Sequence, residues 1–357
     1  MPQILSVSKT DLPYKISQNK LKEFARSIFS KKFKDIDRLL ESFENSKIKE
    51  RNLCVPLGFF SENKTFSEKN DIYIRESLRY SVDSIKNVLK KSGLNKDQIT
   101  DLIFISSTGI STPGIDALII NEMHLDQNIN RLPVWGLGCA GGASGIAKAN
   151  VIAKANPNAV VVVVCCELCS LTFLNEDLSK SNFIATSLFS DGIAAVLITG
   201  DKFKNKEENK SQLKIIDSQS RLYYDSLDVM GWDVTKAGLK VVFSRDIPTI
   251  VNQSVRKDIL IFLKKHKLSI NDIRYFITHP GGIKVINAYI EALKLKYGMM
   301  ENTFSVLEMY GNMSSATVLY VLEKFMDKGM DKGYGLIMSL GPGFSSELVL
   351  VRSGNRY

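Results

Sequence analysis

Histidine is scarce in this chain. Among 357 residues there are only His124, His266 and His279, so imidazole-dependent chemistry has three candidates. Cysteine is odd in number, with Cys54, Cys139, Cys165, Cys166 and Cys169, and an odd set without a secretion signal predicts reduced thiols and no disulfide framework. Long apolar runs are missing. The longest, around residues 159–166, is far too short to cross a bilayer. The opening MPQILSVSKTDLPYK lacks the apolar core of a signal peptide, so a soluble, cytoplasmic protein with no membrane span is the expectation. No G-x-x-x-x-G-K-[ST] phosphate loop occurs, which removes the usual signal for nucleoside triphosphate chemistry. The C-x-x-C of Cys166 and Cys169 has neither a second pair nor a nearby histidine, so no metal is expected there.

What is present reads as a packed protein, 44% hydrophobic and 24% charged, with length for two small domains or one large α/β domain. The net charge is +9, but the lysines are spread out and interleaved with acids, as in Lys31, Lys32 and Lys34 beside Asp35 and Asp37. Such a pattern fits a solvated surface, or a basic rim that draws a polyanionic thioester carrier inward. It does not fit a nucleic-acid face, because no aromatic interleaving accompanies the charge.

Helical periodicity covers residues 20–45 and 71–92, the second through Ile74, Leu78, Val82, Ile85 and Leu89 with Gly93 as its stop. Alternation then sets in. A short strand from Leu102 to Ser106 leads to a helix near 115–123, the segment LPVWGLGCAGG and a small-residue helix from 140 to about 155. The β-branched run from Val160 to Cys166 is a buried strand, followed by a helix near 182–189 and a strand from Ala194 to Thr199. The charged stretch 201–211 marks the boundary between halves 1–210 and 211–357. The second half repeats the outline: a helix over 248–266, a strand over 274–278 ending in His-Pro-Gly-Gly, then YGNMSSAT opening a small-residue helix over 313–327. Strands over 334–339 and 347–352 close it. Gly138-Cys139 and Gly311-Asn312 hold corresponding places. The fold class expected is α/β, a duplicated α/β half in α/β/α/β/α layers.

Cys139 lies at the start of a helix among glycines and alanines. The positive end of the helix favours a thiolate there, and the small neighbours let a substrate approach. His279 ends an apolar strand, where ligands collect in α/β folds, and Pro280, Gly281 and Gly282 clear space after it. His266, in a lysine-rich helix end, and His124, after a helix, read as surface residues. Asn312 reads as a helix cap, a pocket residue, or both. Gly136-x-Gly138-x-x-Gly141 matches the dinucleotide-binding pattern formally, which keeps an NAD(P)-dependent oxidoreductase as an alternative. However, Glu167 falls farther on than the usual ~20 residues.

GLGCAGGASG, ITHPGG, YGNMSSAT and SLGPG, in this order over essentially the whole chain, resemble the type III polyketide synthases, the chalcone-synthase-like family. ELCSLTF at residues 167–173 resembles the bacterial alkylpyrone and alkylresorcinol branch. The related ketoacyl synthase III enzymes, which perform a single condensation, fit less well: their histidine is followed by Gln-Ala-Asn, and Gly341-Pro342-Gly343 is unlike them. The resemblance implies a thiolase fold, a homodimer, no metal or organic cofactor, and acyl-CoA and malonyl-CoA as substrates. It implies Cys139 as nucleophile and His279 with Asn312 as the decarboxylation pair. It places Phe189 as gatekeeper, Thr172, Cys169 and Ser314 at the cavity, and Gly281, Gly341 and Pro342 in the loops around it. Two positions depart from the plant enzymes: Val241 replaces a second gatekeeper phenylalanine before the Asp-Ile-Pro of residues 246–248, which implies a wider or differently shaped cavity. Thr112 replaces a methionine that reaches into the partner subunit. Arg38, Lys47 and Lys49 are substitutes for the basic residues that hold the coenzyme A phosphates.

Overall fold

The structure, a computed structural model, describes residues 1–204, 213–243 and 247–354. Its first half runs β1 (Gln3–Thr10), β2 (Tyr14–Ser17), α1 (Gln18–Phe29), α2 (Ile36–Asn45), β3 (Glu50–Leu53), α3 (Phe66–Ser92), β4 (Asp101–Ile105), α4 (Ile115–Met123), β5 (Asn130–Val134), α5 (Gly141–Ala155), β6 (Val160–Leu168), α6 (Lys180–Leu188) and β7 (Asp191–Thr199). The second runs β8 (Leu213–Leu222), β9 (Met230–Thr235), β10 (Gly238–Phe243), α7 (Ile247–Ile250), α8 (Arg256–Lys265), β11 (Ile273–Thr278), α9 (Ile283–Leu293), α10 (Glu301–Tyr310), α11 (Thr317–Asp327), β12 (Gly333–Gly341) and β13 (Ser345–Ser353).

Nine strands form one sheet in the order β11-β12-β13-β8-β1-β7-β6-β4-β5. The duplication is explicit in this order. β4 lies parallel to β6, which pairs antiparallel with β7, which pairs antiparallel with β1. In the second half β11, β12, β13 and β8 repeat those relations one for one. β1 and β8 meet antiparallel at the junction. α5 and α11 pack against strands of both halves, so they form the central layer of an α/β/α/β/α stack. β6, β7 and β11 through β13 bury nearly every residue, as strands covered on both faces must. The central helices come so close that a Cβ on Gly142 would lie 2.3 Å from the Ser315 carbonyl oxygen and 2.5 Å from Val318. That contact explains the small-residue composition of α5.

Two local readings change. The helix expected over 20–45 is two, α1 and α2, because Phe29 and Phe43 both set their rings edge-on against Phe183 of α6, at 5.1 and 5.8 Å. One straight helix cannot do that. The helix expected over 248–266 contains a π turn at Val251–Val255. Strand β1 and the hairpin β9–β10 carry no turn signal strong enough to have been foreseen. The boundary expected at residue 210 and most of the charged stretch before it lie outside the described residues.

Candidate active site

Cys139 sits in a 3-10 turn, Gly138–Ala140, that feeds α5. Gly138 has φ +45, and its N–H donates to Ser107 Oγ at 3.0 Å. The Ser107 N–H in turn donates to Glu167 Oε2 at 3.0 Å. Asn312 stands before the matching turn, Ser314–Ala316, that feeds α11. It follows Gly311, with φ +68. Its backbone is clamped by the first half: Asn312 N–H donates to the Leu188 carbonyl and Ser190 N–H donates to the Asn312 carbonyl, each at 2.9 Å. Its side chain acts both as a cap and as a bridge. Oδ1 accepts from Ser314 N–H at 2.9 Å, and Nδ2 donates to the Gly281 carbonyl at 3.0 Å.

This arrangement brings the two turns together. Cys139 Sγ lies 4.0 Å from Asn312 Oδ1 and 3.7 Å from Ser314 Oγ. Gly281, two residues beyond His279, is tied to Asn312, and its φ of +57 makes the turn after the histidine. His279 is buried at 4% exposure, and both ring nitrogens lack a hydrogen-bond partner among the described residues. Buried polar groups are nearly always paired, so an imidazole with two orphaned nitrogens is a group awaiting a partner. Gly341 and Pro342 pack on the nucleophile turn: a Cβ on Gly341 would meet Leu137 O at 2.6 Å, and one on Gly138 would meet Pro342 Cδ at 2.8 Å.

The charge state differs from the sequence expectation of a thiolate at a helix tip. Burial pushes the Cys139 thiol up to about 12, against a weaker lowering by Ser314, and pushes the His279 imidazole down to about 3. Burial therefore favours the neutral form of both the thiol and the imidazole. Desolvation outweighs the helix-terminus effect because the turn is buried on all sides.

Phe189, Thr172, Cys169 and Val241 line one cavity, as expected. Its free volume is about 50 Å³, and its wall at Val241 is shaped from across the hairpin. Val241 pairs directly with Trp232, and the Phe189 ring packs against Trp232 at 6.0 Å and Phe243 at 5.5 Å. The aromatic bulk absent from one strand is supplied from the other and from farther along. From Cys169 the cavity continues along Leu21, Phe24, Leu57 and Phe60.

Thr112 is exposed on this chain, beside the exposed Ile110, and is not among the cavity residues. Arg38, Lys47 and Lys49 are exposed near one another in sequence on α2 and the loop after it. Lys49 pairs with Glu308 at 2.6 Å. His124 caps α4 with φ +50, and His266 pairs with Asp217 at 2.9 Å. Neither enters the site. All five cysteines are free and buried, and among the described residues no cluster of three or more His, Cys, Asp or Glu side chains is placed to hold a metal.

Two supporting residues carry no local sequence signal. Glu167, read only as a decoy acid, is fully buried between the halves, accepting from Ser107 N–H and from Ser315 Oγ at 2.6 Å. Burial raises its carboxyl to about 7, against the lowering by those hydrogen bonds. Arg51, 2% exposed, donates from Nη1 to the Thr186 and Phe189 carbonyls at 2.7 and 2.8 Å and so fixes the backbone that carries Phe189. Both follow residues of ordinary appearance, and only the three-dimensional contacts single them out.

Comparison with known proteins agrees with this architecture. The family pattern described as chalcone and stilbene synthases, N-terminal domain, matches residues 46–202, and that for the C-terminal domain matches residues 215–354. The chain is 49% identical over 98% of its length, and 98% of the other's, to a candidate chalcone synthase of Bacillus subtilis (strain 168). It is 32% identical over 95% of its length, and 90% of the other's, to a 1,3,6,8-tetrahydroxynaphthalene synthase of Streptomyces peucetius subsp. caesius. Among solved structures it is similar to the 1,3,6,8-tetrahydroxynaphthalene synthase of Streptomyces coelicolor A3(2), a bacterial type III polyketide synthase. The TM-score is 0.93 at 25% identity, covering 99% of this chain and 100% of that one. It is also similar to the C-terminal type III polyketide synthase domain of Steely1 from Dictyostelium, with TM-score 0.90 at 27% identity, covering 98% and 99%. With the Cys139 turn and its duplicated counterpart meeting at the centre of this five-layered fold, the chain belongs to the chalcone and stilbene synthase family, the type III polyketide synthases of the thiolase superfamily.

Proposed function

We propose that the protein loads a long-chain fatty acyl-CoA on Cys139, extends it by repeated decarboxylative condensation with malonyl-CoA, and releases a cyclised alkylpyrone or alkylresorcinol. The observation that carries the reading is the meeting of Cys139 Sγ with Asn312 and Ser314 at 4.0 and 3.7 Å, with Asn312 in turn tied through the Gly281 carbonyl to the loop that follows the buried His279, whose two ring nitrogens are unpartnered among the described residues. In loading, the thiol proton passes to one nitrogen of His279 and the sulfur attacks the thioester carbonyl, expelling coenzyme A thiol. Malonyl-CoA then enters. Its thioester oxygen accepts from His279 and from the Asn312 amide N–H that Gly281 leaves free. Carbon–carbon cleavage releases carbon dioxide, and those donors hold the enolate as charge develops. The enolate carbon attacks the acyl-sulfur carbonyl, the cysteine sulfur leaves, and the extended chain reloads.

The apolar lining from Cys169 through Leu21, Phe24, Leu57 and Phe60 supports an alkyl starter, with those side chains turning aside to admit it. Thr172, Val241 and Phe189 set its shape. Arg38, Lys47 and Lys49 meet the phosphates of coenzyme A. The protein acts in the cytoplasm, with residues 1–210 supplying the nucleophile and 211–357 the histidine and asparagine. A homodimer is supported by β5, the sheet's edge strand, and by the exposed Ile110, Leu132, Trp135 and Val151 near it. Thr112 then lies on the covered face.

The test is product analysis by mass spectrometry with isotope-labelled malonyl-CoA and a panel of acyl-CoAs. Fatty starters are expected to give products carrying two or more labelled extensions. A single extension returns the ketoacyl synthase III-like reading, and extension only of malonyl-CoA itself removes the fatty starter.

A further inference from the structure

A second cavity, of about 430 Å³, lies between the segment before α3, the loop after Phe173 and the tip of the β9–β10 hairpin. It shares Phe60 and Phe173 with the cavity lined by Cys169, Thr172, Phe189 and Val241. Its wall contains Lys69, which is 5% exposed. Lysine is almost never buried this deeply without a partner of opposite charge. Among the described residues, the Lys69 ammonium donates one hydrogen bond, to the Phe173 carbonyl at 3.0 Å, out of the three it can make. The carboxylates lining the cavity are engaged elsewhere: Glu62 with Lys64 at 2.6 Å, Glu176 with Asn63 at 2.8 Å, and Asp177 with Ser179 at 3.0 Å. Lys64 and, on the hairpin, Lys240 add two further cations to the lining, with Asp233 opposite Lys240 in the strand register. Phe59, Phe60, Phe173, Leu174 and Ala237 make the rest of the wall largely apolar.

We infer that this cavity is a binding site for an amphipathic monocarboxylate, whose carboxylate meets the Lys69 ammonium and whose hydrocarbon part lies on Phe59, Phe60 and Phe173. An anion supplies what the buried amine lacks, and the aromatic wall selects a carboxylate with an apolar body over a bare inorganic anion. The site uses none of Cys139, His279 and Asn312 and does not depend on the starter assigned above; Phe60 and Phe173 form a wall common to it and the proposed starter cavity.

The test is calorimetric titration of the full chain with sodium octanoate, Cys139 first capped with iodoacetamide to cover the nucleophile, with the Lys69 variants separating this site from the starter cavity. Octanoate is expected to bind, Lys69→Met to weaken it by about 10-fold or more, as loss of a charge-assisted hydrogen bond does, and Lys69→Arg to keep most of it. Burial lowers the empty-site amine to about 8, so affinity holds up to that pH and falls above it as the free amine loses its proton. Phe59→Ser at the rim should weaken octanoate while leaving acetate unchanged, which covers the case of Lys69→Met failing to fold. Absence of octanoate binding, equal binding by Lys69→Met, equal binding of octanol, or displacement by equimolar inorganic phosphate each overturns the inference. Condensation by uncapped protein reports separately on the proposed function.

Discussion

The Cys139 turn and the Asn312 turn are copies of one structural device put to different chemical uses. Each follows a glycine with positive φ, forms a single 3-10 turn and opens a buried helix at the centre of the fold. In one the functional side chain is held loosely. Among the described residues the side-chain hydrogen-bond contacts of Cys139 Sγ are two long ones, with Asn312 and Ser314. In the other it is pinned at both ends of its amide and along its backbone. A nucleophile has to travel toward its electrophile, whereas a donor to a developing negative charge works best when fixed in advance. The two turns occupy equivalent positions in the halves, and their different tethering fits the different roles proposed for them.

Substitutions separate the two turns in a ranked way. Cys139→Ala should abolish acyl loading and lower condensation by about 10³-fold or more, since no other group supplies the nucleophile; single-turnover assays with labelled acyl-CoA read it. Asn312→Ala should leave loading in place and cut malonyl-CoA decarboxylation by about 10²–10³-fold, the loss typical of an oxyanion donor. Carbon dioxide release measured beside acyl transfer distinguishes the two turns directly. His279→Ala should slow iodoacetamide capture of Cys139 at pH 7 by about 10²-fold, the lower range for a lost general base. Its rate should then climb through the alkaline range toward the thiol value near 12 that burial imposes. Equal slowing at pH 7 and pH 10 would mean that the imidazole does not take the thiol proton.

Smaller effects test the walls. Trp232→Ala should raise, and Val241→Phe should lower, the ratio of kcat/KM for palmitoyl-CoA to that for octanoyl-CoA, by roughly 10-fold each, because the two residues face one another across the hairpin. The smallest effect concerns Glu167, which supports both turns. Its carboxyl is raised to about 7 in the fold, above the ~4.3 of an unfolded glutamate. Its contribution to stability is therefore complete below the unfolded value and is lost as pH rises through 7. Glu167→Gln removes that slope. Its melting temperature relative to the parent should shift in the variant's favour between pH 5 and pH 8, read by thermal denaturation.

Much of the fold was legible in the sequence because it is written in short-range patterns. The apolar strand at β6, the heptad-like face of α3 and the glycine-rich openings of α5 and α11 each announce one element, and their repetition announces the duplication. Cys139, His279 and Asn312 were legible for the same reason, each carried by a local motif at a strand end or helix start. What escaped depends on residues distant in the chain. Nothing around residue 30 says that two phenylalanines must flank Phe183, and nothing near Val241 says that Trp232 stands opposite it. Glu167 and Arg51 act through hydrogen bonds to segments far along the chain, so their neighbours in sequence are silent about them. The neutral resting state of the thiol likewise follows from enclosure on all sides, which no local spacing encodes.

Intact-protein mass spectrometry after brief exposure to palmitoyl-CoA tests the central claim most directly. The protein should gain one acyl group, at Cys139, and lose it as extended products when malonyl-CoA follows, while the Cys139→Ala protein gains none. An acyl group appearing on the alanine variant, or one on Cys139 that malonyl-CoA leaves in place, would contradict it.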